Sequence, residues 1–110
     1  MNIDELVNSI QENELRNQLT QWVNEWKSDD SDVLLLSEII LKWHGNVWFK
    51  DSSESNEFLN QFNAFKLNAI TGLGGLTLNE RLYFFGLFEQ WDSANETEQN
   101  KLRRKLQANA

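Results

Sequence analysis

His44 is the one histidine in this chain and there is no cysteine, so the residues from which chemistry could be built are few. A Ser-His-Asp or His-carboxylate centre would have to form around His44, at a helix end beside Trp43 and Trp48; the alternative is a capping or packing histidine. Without cysteine there is no thiolate nucleophile, thiolate metal ligand or disulfide framework. Glu54 with Glu57, and Glu89 with Asp92, lie three residues apart and share a helix face, a spacing used by general acid/base and metal sites. A hydrolase built on such a pair requires a deep pocket and raised carboxyl pKa values. Asp29, Asp30 and Asp32 resemble half a calcium loop, but no Gly at the sixth position and no Glu at the twelfth complete it. Gly72-Leu73-Gly74-Gly75 stands before a helix N-terminus, where backbone N–H groups can gather around a phosphate. A helix precedes it instead of a strand, however, and no Gly-Lys-Ser or Gly-Lys-Thr follows. These readings favour a chain with no catalysis, metal or cofactor of its own.

The elements that position these residues read as helices throughout. Asn2 and Glu5 form an N-cap and N3 pair ahead of Ile3, Leu6, Val7 and Ile10, which recur at helical spacing. Leu15, Leu19, Trp22, Val23 and Trp26 form a second set, out of phase with the first, which places a break near residues 12 to 14. Asp29 to Asp32 then end a polar linker. Val33 to Trp43 is apolar almost all round, predicting a central buried helix over residues 33 to 44, with His44-Gly45-Asn46 as its C-cap. Val47-Trp48-Phe49 runs extended, and Asp51-Ser52-Ser53 starts the next helix. Phe58, Leu59, Phe62, Phe65 and Ala69 mark one face of a helix over roughly residues 54 to 70. Thr77 and Glu80 give a capping box for a helix over residues 78 to 92, in which Gly86 admits close approach of a neighbour. Asn95 with Glu98 opens a last helix with a basic end. The expectation is all-α: a single domain, residues 1-110, forming a compact irregular bundle of about six short helices, with 33 to 44 and 78 to 92 at its centre.

Ten Lys and Arg against 17 Asp and Glu give a net charge of -7. Lys101, Arg103, Arg104 and Lys105 hold four of those cations, leaving six against 17 acids, a net of -11, over residues 1 to 100. Such a body repels phosphate backbones and steers toward basic surfaces, and its terminal cations pair with the body or with the helix dipole. Nucleic acid is therefore not an expected partner. The acidic N-terminus is unlike a signal peptide and no apolar run approaches a membrane span, so the expected location is cytoplasmic, with no membrane partner. Trp48 and Phe49 are the aromatics least clearly assigned to a helical core face, and they are candidate interface anchors.

From Ile70 to Trp91 the run Ile-Thr-Gly-Leu-Gly-Gly-Leu-Thr-Leu-Asn-Glu-Arg-Leu-Tyr-Phe-Phe-Gly-Leu-Phe-Glu-Gln-Trp resembles a segment of small bacterial immunity proteins. Those proteins accompany polymorphic or contact-dependent growth inhibition toxins. The resemblance covers about a fifth of the chain and carries over no functional residue. It implies a protein that binds and neutralises a cognate toxin, often a nuclease with a basic active-site surface. On that hypothesis Asp29, Asp30, Asp32, Asp51, Glu54 and Glu57 supply the electrostatics, with Trp48 and Phe49 as anchors. The alternative is a regulatory or adaptor subunit of an assembly, a homodimer being one form of it.

Overall fold

The computed structural model describes residues 1-107; the last three residues of the domain expected over 1-110 lie outside the described residues. Among the described residues there are seven α-helices and no strand. They are α1 (Ile3–Asn8), α2 (Asn13–Ser28), α3 (Val33–Asn46), α4 (Ser52–Phe65), α5 (Leu78–Phe84), α6 (Phe88–Ser93) and α7 (Glu96–Lys105). The all-α irregular bundle is thus the observed class. No helix is long and apolar enough to cross a membrane.

Local chemistry accounts for most of the helix starts. Asn2 and Glu5 make a reciprocal capping box on α1, and Thr77 and Glu80 make another on α5. Asp32, Asp51 and Asn95 accept first-turn N–H groups of α3, α4 and α7. In each box the glutamate accepts the N-cap backbone N–H, which holds its carboxyl below the ordinary value; Glu5 also accepts the Tyr83 hydroxyl. Burial pushes the Asp29 carboxyl up, but bonds from Ser31 and the Lys105 ammonium outweigh it and the net shift is down. Carboxyls depressed in the folded state bind protons more readily in the unfolded chain. Their stabilisation is therefore complete above the ordinary carboxylate range and lost as pH falls through the lower folded values. Thermal melts followed by circular dichroism should show a nearly constant midpoint from about pH 6 to 8 and a decline below about pH 4. A midpoint that rises on acidification would contradict these shifts.

The core is one cluster to which the helices contribute unequally. Trp26, Trp43, Phe62 and Phe85 are its largest fully buried side chains. Short α1 is more central than its length suggests: it packs on both α2 and α4 and buries Ile3, Leu6 and Val7. Two expectations about the centre are corrected. Helix α3 buries Val33, Leu36, Ser37, Ile40 and Trp43 but leaves Leu34, Leu35 and Leu41 exposed, because its neighbours, α2 and the turn Lys66–Thr71 that follows α4, cover one side only. The helix expected over 78 to 92 is broken at Gly86, which has φ +64°. There the Gly86 N–H donates to Tyr83 O at 3.2 Å and the Leu87 N–H to Leu82 O at 2.9 Å, the two bonds of a Schellman ending, with Leu82 and Leu87 buried beside it.

Three further boundaries differ in detail. Helix α3 runs through Gly45 to Asn46, so His44-Gly45-Asn46 continues the helix instead of capping it. After Phe65 the α4 rod continues as a wider π turn, Lys66–Thr71, closed by the Gly72 N–H on Leu67 O at 3.1 Å. A Cβ on Gly72 would stand 2.9 Å from Asn68 O, so the wide turn requires glycine there. Finally, Gly72, Gly75 and Leu76 spend their N–H groups on Leu67, Gly72 and Leu73 carbonyls. The glycine cluster is a tight connector, with those donors already satisfied and not turned toward a phosphate.

Candidate functional site: an acidic groove beside an exposed tryptophan

The six acids singled out in the sequence fall into two groups with different electrostatic fates. Asp29, Asp30 and Asp32 lie in the α2–α3 loop, against which α7 docks. Lys105 Nζ reaches Asp29 Oδ1 at 3.1 Å, Lys101 Nζ reaches Asp30 Oδ1 at 2.9 Å, and Gln107 donates to Asp32 Oδ2 at 3.2 Å. Asp32 Oδ1 meanwhile caps α3 by accepting the Leu34 and Leu35 N–H groups. This loop is sewn to its own C-terminal helix, and much of its charge is met within the chain. Two of the four terminal cations, Lys101 and Lys105, thus pair with the body, while Arg103 lies over the Trp91 ring 5.1 Å from its centroid.

Asp51, Glu54 and Glu57 belong to the first two turns of α4 and accept only neutral donors. Asp51 caps the helix through Ser53 N–H at 2.8 Å, Glu54 Oε1 accepts the Gln11 N–H at 2.9 Å, and Glu57 accepts Gln61 Nε2 at 3.0 Å. None of the ion pairs among the described residues involves them. With Ser9, Ile10 and Gln11 from the α1–α2 connector and Ser53, Phe58 and Gln61 from α4, they line an open groove of about 420 Å³. No cation lines it. The α4 N-terminus favours the carboxylates that hold it, which explains why they stand there; their negative charge faces solvent uncompensated. Next to the groove, Glu12 Oε1 accepts the Lys50 N–H at 3.2 Å.

Between α3 and the groove the chain runs extended, and extended backbone sends successive side chains to opposite faces. Phe49 goes inward: its ring lies 6.0 Å from Trp43, 5.9 Å from His44 and 6.4 Å from Phe58. It is a core residue, which corrects its candidacy as an interface anchor. Trp48 is consequently thrown outward and is 89% exposed. It precedes Asp51 by three residues, so its Cα lies within roughly 11 Å of the groove's rim.

The remaining chemical candidates resolve locally. His44 Nε2 lies 3.1 Å from Ser55 Oγ, a serine-histidine pair, but also 3.2 Å from the Ser55 carbonyl oxygen. A carbonyl can only accept, so the tautomer with its proton on Nε2 satisfies both contacts, and in that form the nitrogen cannot take a proton from the hydroxyl. With its ring stacked on Phe58 at 5.7 Å, His44 bridges α3 to α4. Glu89 and Asp92 are both exposed on α6. Among the described residues no group of three or more His, Asp or Glu is placed to hold a metal.

Sequence reading missed Ser9, Gln11 and Gln61. Gln11 and Glu54 are 43 positions apart, and no linear pattern joins a polar connector to a helix face that distant. No protein-family model matches the chain, and no curated protein or solved structure is significantly similar to it.

Proposed function

We propose that this protein is an immunity-type inhibitor: it binds a toxin domain through a basic surface, a nuclease being the class such a surface fits, and occludes it without chemistry of its own. The observation that supports the reading best is the pairing of uncompensated Asp51, Glu54 and Glu57 along one groove with Trp48, 89% exposed and three residues before Asp51. Acidic charge steers a basic partner to the surface and raises the association rate, while a large aromatic that becomes desolvated on contact slows dissociation. An indole this exposed contributes little to the monomer's own packing, and it is the kind of side chain that gains most from burial against a partner.

Two variants separate binding from folding. Trp48→Ala should leave stability within about 0.5 kcal/mol, as expected of an exposed position, yet weaken partner binding about tenfold or more. Affinity capture from the encoding organism with the native chain and with Trp48→Ala, followed by coexpression with any toxin-like protein retained only by the native chain, measures both. The proposal expects a basic protein whose lethality the native chain abolishes and Trp48→Ala abolishes less well. Partners retained equally by both chains, or a captured toxin left lethal on coexpression, would count against it.

A further inference from the structure

A second surface, distinct from the groove, lies on the outward side of α3. Leu34, Glu38, Leu41 and Gly45 follow one another at steps of four, three and four residues and so form a single stripe along the helix. Leu34 is 54% and Leu41 40% exposed, and Glu38, Lys42 and Gly45 are exposed as well. The stripe with its neighbour Lys42 carries no net charge, although the whole chain carries -7. Gly45 has no reason within the chain to be glycine. It lies inside the helix without a positive φ, where alanine is the better helix former, and a Cβ there would meet nothing within 4 Å.

We propose that this stripe is the interface of a homodimer in which α3 packs antiparallel on α3 of a second copy. The spacing four-three-four reads the same in both directions, so a reversed copy presents the same stripe in register. Placing Leu34 of one copy opposite Gly45 of the other seats a large side chain over the missing Cβ. The same register sets Glu38 opposite Leu41 of the other copy and one position from its Lys42, close enough for an ion pair on either side of the two-fold axis, with the two Leu41 side chains flanking that axis about 4.5 Å apart along the helix. Exposed leucines, an otherwise unexplained glycine and a self-complementary charge pair are thus met by one arrangement. A single-helix seam is at the small end of specific interfaces, so the dimer dissociates on dilution.

Sedimentation equilibrium of the full chain tests this across micromolar to millimolar concentrations. The mass should move from 12.9 kDa toward twice that value. Leu41→Glu should hold it at the monomer with an unchanged helical circular dichroism spectrum. Gly45→Ala should raise the thermal midpoint of the dilute monomer while weakening the dimer. Glu38→Lys should weaken the dimer roughly fivefold, and adding Lys42→Glu should restore it. A native chain that stays monomeric throughout, a dimer that Leu41→Glu or Gly45→Ala leaves as tight as before, or a charge swap that fails to rescue would overturn the proposal. None of these outcomes depends on the toxin partner or on the acidic groove.

Discussion

Replacing Lys105 with alanine is expected to cost about 3–4 kcal/mol, the largest loss available from any polar side chain in the molecule. Its side chain is 1% exposed. The ammonium donates to Trp26 O, to Ser31 O at 2.6 Å and to Asp29 Oδ1 at 3.1 Å, and lies 4.0 Å from the centroid of the Trp26 ring. Three donors thus meet three acceptors, two of them carbonyls at the end of α2 and in the loop that follows. Burial lowers the Lys105 pKa, and the Asp29 carboxylate partly offsets that. Truncation would take the ammonium from Ser31 O, leave Trp26 O with only the Asp29 N–H at 3.3 Å, and remove a buried stem from beside Trp26. Lys105→Met keeps the stem and should lose less. Lys101→Ala breaks a pair whose members are 40% and 88% exposed and should cost no more than about 0.5 kcal/mol. Urea titrations of the three variants measure these differences. Equal losses from Lys105→Ala and Lys101→Ala would refute the picture of Lys105 as a buried clamp.

Gly86→Ala is expected to cost about 2–3 kcal/mol through two separable effects. A φ of +64° strains any residue with a Cβ, by about 1 kcal/mol. The new Cβ would also lie 2.1 Å from Asp4 Oδ2 and 2.9 Å from Lys27 Nζ. The Asp4 carboxylate can swing away, but only by abandoning the 2.7 Å pair with Lys27, whose side chain is 14% exposed. In an Asp4→Ala background the pair is already gone, so the penalty of Gly86→Ala should shrink to about 1 kcal/mol. An unchanged penalty there would assign the whole effect to backbone strain.

These two residues also show where sequence stops informing structure. Lys105 reads from sequence as one of four cations ending a helix, suited to its dipole; that it is the buried one depends on α7 docking against Trp26, 79 positions earlier. Gly86 signalled a close neighbour, and the neighbour proved to be an ion pair from α1 and α2. The break itself was hidden, because the apolar residues from Leu82 to Trp91 cover most of a helix's circumference and leave no single face whose phase could be seen to slip. Capping chemistry was legible because it is local: Asn2 with Glu5, Thr77 with Glu80 and Asn95 with Glu98 stand where the pattern placed them. The apolar run of α3 was misread for the opposite reason. Leucine on every side of a helix states what could be buried, whereas what is buried depends on which neighbours pack against it, and none covers Leu34 and Leu41. The candidate site was half legible. The acids were visible as charges, but which of them meet a cation within the chain was decided by long-range packing. That packing sets Asp51, Glu54 and Glu57 apart from Asp29 and Asp30.

That division is the centre of the functional account, and association kinetics with the captured partner measure it most directly. Glu54→Lys combined with Glu57→Lys should slow association severalfold at low ionic strength, with the difference shrinking as salt is added. Charge reversal at Asp30, already paired with Lys101, should slow it much less. If the α4 double variant associates as fast as the native chain at low salt, or if Asp30→Lys has the larger effect, the acidic groove is not where the partner lands.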